Sequence, residues 1–145
     1  MRSNTLPMAA RQIAAGGTRG TVFREAALQR LLDSETLFGE QRANGAIYLA
    51  GYAIECHLKY ACCSLRDLTY LPANLETHSW NLLLRAAGLV RAFTAQQRAW
   101  ALFCSLVDQW STALRYSTRR LPAREATQLY KELKELYKCL QQFAP

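Results

Sequence analysis

Residues 44–63 read Asn-Gly-Ala-Ile-Tyr-Leu-Ala-Gly-Tyr-Ala-Ile-Glu-Cys-His-Leu-Lys-Tyr-Ala-Cys-Cys, and no other stretch constrains the fold of this 145-residue chain so tightly. The segment has the length and composition of one long helix. It is apolar on almost every side, with Glu55, His57 and Lys59 as its only strongly polar ionisable groups. A helix on a protein surface keeps a whole polar face. One that lacks it must be enclosed by other helices or by a partner chain, so this segment predicts the centre of a helical bundle.

The remaining segments supply the enclosure. An apolar pattern at Phe23, Ala27, Leu31 and Leu32 predicts a helix capped at Thr21 or Gly20 and running to about Phe38 or Glu40, with Gly39 as a stop. The central helix is expected over about Arg42 to Asp67. Pro72-Ala73-Asn74 breaks the pattern, and a short helix follows from about Ser79 to Ala87, ending at Gly88. Thr94 is placed to cap a helix reaching about Tyr116, with a stripe of Trp100, Phe103, Leu106 or Val107, Trp110 and Leu114. Pro122 suits the start of a last helix over Ala123 to Phe143, whose seam is Leu129, Leu133, Leu136, Leu140 and Phe143. No strand pattern and no repeat is visible. The fold class is therefore all-α, an up-down antiparallel bundle of about five helices over residues 21–145.

Residues 1–20 carry arginines and glycines but no acid, and read as a flexible arm. A transit peptide has the same character. No apolar run approaches the roughly 20 residues that span a bilayer, and no secretory segment is visible, so a cytoplasmic protein without membrane partners is expected. The five cysteines, Cys56, Cys62, Cys63, Cys104 and Cys139, are odd in number and lie in helical patterns without a CxxC. They read as free buried thiols rather than as metal ligands or disulfides, and no cofactor is expected. The net charge is +7, carried by fourteen arginines and four lysines, a weak indication of anionic partners.

On the central helix, Ile47, Ala50, Gly51, Ile54, Leu58, Ala61 and Leu65 share one face, the expected core. Tyr48, Tyr52, Glu55 and Lys59 fall on an adjacent face, within about 60° of one another at 100° per residue. Glu55 precedes Lys59 by four residues, the favourable order for an intrahelical pair. This stripe reads either as a polar network locking two helices together or as the lining of a cleft. Gly45 and Gly51 suggest that another backbone passes close by. A second candidate runs from Trp110 to Arg124, where Arg115, Arg119, Arg120 and Arg124 appear without an acid, beside Tyr116, Ser117 and Thr118. It is the best phosphate-binding segment of the chain. Thr77-His78-Ser79 is a third, with a capping or surface role expected for His78. Sequence spacing brings no acid to either His57 or His78, so no catalytic residue is nominated.

The string from Tyr48 to Lys59, His78-Ser79-Trp80-Asn81-Leu82-Leu83 downstream, and Trp110 with Arg115-Tyr116 before the final helix together resemble HEPN domains, over about residues 22–143. The resemblance implies a bundle of four to five helices, often a homodimer. Its members act as RNases in toxin–antitoxin and phage-defence systems, as partners of nucleotidyltransferases, or as nucleotide-binding modules. The RNase members carry an arginine followed four to six residues later by a histidine, and this chain has no such pair. The expectation is thus a non-catalytic module that binds a nucleotide, an RNA or a nucleotidyltransferase-type partner. The ligand surface expected for it combines Tyr48, Tyr52, Glu55 and Lys59 with Arg115, Tyr116, Arg119 and Arg120. The alternatives are an RNase with a non-standard site and a purely structural dimerisation module.

Overall fold

The structure, a computed structural model, describes residues 17–145 apart from the side chains of Thr112 and Arg115. The arm expected at the N-terminus lies mostly outside the described residues. Six α-helices follow in order: α1 (Gly20–Gly39), α2 (Ala43–Ser64), α3 (Trp80–Ala86), α4 (Val90–Ala95), α5 (Gln97–Gln109) and α6 (Ala123–Phe143). Two short 3₁₀ turns, Ala73–Leu75 and Thr112–Tyr116, punctuate the loops, and no strand occurs among the described residues. The fold is an all-α bundle.

Its long helices alternate in direction. Gly20 at the start of α1 meets Cys63 at the end of α2, whereas Leu37 meets Gly45, so α1 and α2 are antiparallel. α6 runs against α1, with Phe38 stacked on Tyr130 at 4.3 Å and Lys134 paired with Glu35 at 3.1 Å. α5 returns against α6, tied to it by the two-pronged Arg98–Glu135 pair. α2 sits at the centre, with 14 of its 22 residues buried, Glu55, His57 and Lys59 among them. That is the enclosure its all-round apolar character demands.

Local details follow from the termini. Ser79 caps α3 by accepting the Leu82 N–H, and Gly88 after it takes φ +72°, a conformation that favours glycine. At the end of α1 the same left-handed geometry falls on Gln41, φ +60°. There the Gln41 and Arg42 N–H groups return to the Phe38 and Leu37 carbonyls, a Schellman turn. The residue in the glycine position of that turn is thus a glutamine.

Three expectations need correction. The helix expected over 94–116 is broken: Gln96 and Trp110 are extended, and Thr94 lies within α4. Trp110 stands at this break with its indole turned onto α2. Leu32 and Leu65, expected in the core, are about half exposed at 52% and 45%. Nor are all five thiols buried, since Cys104 is exposed and Cys139 half-buried; all five are free.

Candidate functional site

Successive turns of α2 present their polar residues to different neighbours. Nearest its N-terminus, Asn44 Nδ2 donates to the Arg119 carbonyl at 2.8 Å, which fastens the arginine-bearing loop to the bundle. One turn on, Tyr48 stacks between Tyr52 at 6.2 Å and Trp110 at 6.0 Å. The Trp110 indole lies flat on the helix and donates to the Tyr48 carbonyl at 3.2 Å. It can do so because residue 51 is glycine: a Cβ there would stand 1.9 Å from Trp110 Nε1. The close neighbour that Gly51 accommodates is thus an aromatic side chain and not a second backbone. Trp80 also stacks on Trp110, at 5.2 Å, so the two tyrosines open a series of rings that runs into the core.

Further along, Glu55 is fully buried. Its Oε1 accepts the Nδ1–H of His78 at 2.7 Å, and its Oε2 faces Lys59 Nζ at 3.4 Å. A carboxylate can only accept, which places the proton of His78 on Nδ1, on a side chain that is 61% exposed. Lys59 is itself buried, with its ammonium 5.6 Å from the Phe23 ring centroid. The sequence brought no acid to His78 because Glu55 lies 23 positions away. Only the path of the chain through residues 65–79 makes them neighbours. Burial, reinforced by Glu55, pushes the adjacent Cys56 thiol up to about 12, and burial raises the Tyr52 phenol as well. Neither group is a nucleophile near neutral pH.

The arginine segment is different. Between the α1–α2 turn and residues 118–127 lies a cavity of about 730 Å³. Arg42 and Arg120 supply its charge, Gln41, Asn44, Thr118 and Thr127 its uncharged polar groups, and Leu37, Phe38 and Leu121 much of its apolar wall. No acidic residue or histidine lines it. Neither arginine pairs with a carboxylate among the described residues. Arg119 contributes to a smaller neighbouring cavity, and Tyr116 stands 75% exposed.

The eight residues singled out by sequence therefore do not line one surface. Asn44 and Glu55 are eleven residues apart, about 16 Å along the helix axis. The Glu55–Lys59 pair is sealed inside the protein while the arginines open to solvent. The side chain of Arg115 is not described. The residues that sequence reasoning missed are Gln41, Arg42 and Asn44. They sit in a helix–helix turn, and the one available signal was their position at the mouth of the central helix.

His57 is fixed by the end of the chain: its Nε2–H donates to the Ala144 carbonyl at 2.8 Å, between the rings of Tyr60 and Tyr137. Burial lowers its pKa, opposed by that bond and aided by the charge of Arg24. Among the described residues no three His, Cys, Asp or Glu side chains converge on a metal-sized space. No described helix is long and apolar enough to cross a membrane. Comparison with known proteins finds no matching family model, no matching curated relative and no matching solved structure.

Proposed function

We propose that this protein is a non-catalytic helical module that binds a phosphate-bearing ligand, a nucleotide or the backbone of an RNA, in the cavity between the α1–α2 turn and residues 118–127. The observation that carries the reading is the pairing of Arg42 and Arg120, free of carboxylate partners among the described residues, in an acid-free cavity of nucleotide size. Arginine matches phosphate with a planar fork of N–H donors. The Thr118 hydroxyl adds a donor, since that of Thr127 is given to the Ala123 carbonyl, and the apolar wall of Leu37, Phe38 and Leu121 takes a base or ribose. The first N–H groups of α6, beginning at Ala123, add partial positive charge on the same side. A cavity without histidine or carboxylate lacks a proton-transfer group, which favours binding over cleavage. The resemblance to HEPN domains without the arginine–histidine motif agrees with this reading, and a nucleotidyltransferase is the partner it would supply.

Isothermal titration with ATP, GTP and a short single-stranded RNA at two salt concentrations tests the proposal. Saturable heat that weakens with salt is expected for at least one probe. The Arg42→Gln/Arg120→Gln double variant is expected to lose about tenfold or more in affinity, with its unfolding free energy within about 0.5 kcal/mol of the parent. Absence of heat with all three probes would overturn the reading.

A further inference from the structure

Between the 3₁₀ turn at Thr112–Tyr116 and the start of α6, the chain from Ser117 to Pro122 is neither helix nor turn. Both of its ends are extended, Ser117 at φ −74°, ψ 123° and Pro122 at φ −52°, ψ 139°. Pro122 also holds Leu121 out of the helical region, as a proline does to the residue before it. Successive side chains of an extended segment leave on opposite sides. Here they reach two different cavities. Thr118 and Arg120 line the cavity of about 730 Å³ that also holds Arg42, while Ser117 and Arg119 line a neighbour of about 140 Å³. The two cavities share two lining residues, Asn44 and Leu121. Asn44 is fixed in that partition by its 2.8 Å bond to the Arg119 carbonyl.

No acid lines either cavity, and Arg119, like Arg120, pairs with no carboxylate among the described residues. A third cavity touches Leu121 as well, but Glu125 and Glu132 line it beside Arg124, which makes it a poor place for an anion. Both Arg119 and Arg120 are exposed, so each is hydrated without a ligand and its contacts to one are salt-sensitive. A phosphate held by Arg42 and Arg120 leaves Arg119 and the Ser117 hydroxyl just across the partition. The smaller cavity has the volume of about four or five waters, space for a phosphate group and too little for a nucleoside. A nucleoside with one phosphate can use only one side. A nucleoside phosphorylated at both ends of its ribose can use both, with the sugar over Leu121 and Asn44. We propose, on the phosphate reading of the larger cavity, that the site takes a nucleotide carrying phosphate on both its 5′ and 3′ oxygens. Arg119 is then the residue that selects the second phosphate. That chemistry has two sources, a free nucleoside 3′,5′-bisphosphate and an internal nucleotide of an RNA strand.

Isothermal titration of the full chain compares the 5′-monophosphate, the 5′-diphosphate and the 3′,5′-bisphosphate of adenosine and of guanosine, with the 5′-phosphorylated dinucleotide of each base. For at least one base the 3′,5′-bisphosphate is expected to bind about tenfold tighter than the monophosphate and clearly tighter than the 5′-diphosphate, which carries its charge at one end only. In Arg119→Gln the advantage of the bisphosphate over the monophosphate is expected to shrink to within about twofold. The Asn44 bond goes to the backbone of residue 119 and survives that substitution. A dinucleotide that matches the bisphosphate identifies an RNA strand as the source, and one that binds more weakly identifies the free bisphosphate. Monophosphate binding with no gain from the 3′-phosphate, an equal gain from the 5′-diphosphate, or an advantage that persists in Arg119→Gln would each overturn the inference and leave the phosphate reading standing. No heat with any of these probes overturns the inference too, and takes the phosphate reading with it only where ATP, GTP and the single-stranded RNA are also silent.

Discussion

The middle of α2 and its N-terminal end both carry polar side chains into the structure, and they leave them in opposite states. At Glu55 every charge is answered from within: a lysine one turn on, a histidine from the following loop, and no exposed surface on the carboxylate. At Arg42 and Arg120 the charges face a cavity and go unanswered by any carboxylate among the described residues. A buried charge must be paired, whereas an arginine at a cavity open to solvent bears no such cost. Glu55 thus ties α2 to His78 of the 65–79 loop, while Tyr48 and Tyr52 stack toward Trp110 and Lys59 lies by Phe23.

The comparison breaks first at Glu55. Glu55→Ala leaves Lys59 buried without its partner and is expected to cost about 3–5 kcal/mol in urea unfolding. A loss below about 1 kcal/mol would mean that the pair is not sealed. Next is the joint between the two regions. Gly51→Ala drives a methyl into the Trp110 indole and is expected to cost about 3 kcal/mol, with the near-ultraviolet circular dichroism of the tryptophan stack reduced. If Trp110 can move aside cheaply, the loss will be much smaller.

His57 extends the buried class to acid conditions. Burial holds its folded pKa below the ordinary value near 6.5, so between those two values the unfolded chain binds the extra proton. Stability is therefore complete above pH 6.5 and declines as the pH falls through that window. A loss of about 1 kcal/mol is expected between about pH 7.5 and 5.5, and His57→Gln should flatten that dependence. The smallest effect belongs to the open end. Gln41→Gly relieves a left-handed side-chain residue and is expected to raise the unfolding free energy by up to about 1 kcal/mol. Because Gln41 lines the cavity, the same variant reports whether its amide contributes to nucleotide affinity.

Much of the fold was legible because helix periodicity is a local property. The limits of α6, Ala123–Phe143, match the expected ones, and α1 and α2 differ from expectation by no more than about three residues. The break at Trp110 was not legible, since a tryptophan suits the helical stripe as well as it suits a turn away from it. Its choice was made by Gly51, some sixty residues earlier. The site was legible by composition and not by arrangement: Arg119 and Arg120 stood out, but the partner Arg42 looked like any residue at a helix start.

By itself the sequence determined that this chain forms an all-α bundle around one enclosed helix, because a segment apolar on every side has no stable place at a surface. It also determined where that helix carries its few charges. Tertiary structure alone decided what those charges do. The 65–79 loop brings His78 onto the buried Glu55, while the α1–α2 turn and the 118–127 segment meet around a space in which Arg42 and Arg120 face no carboxylate among the described residues. The physical reason is that burial and pairing depend on groups far apart in the chain, which no local spacing encodes.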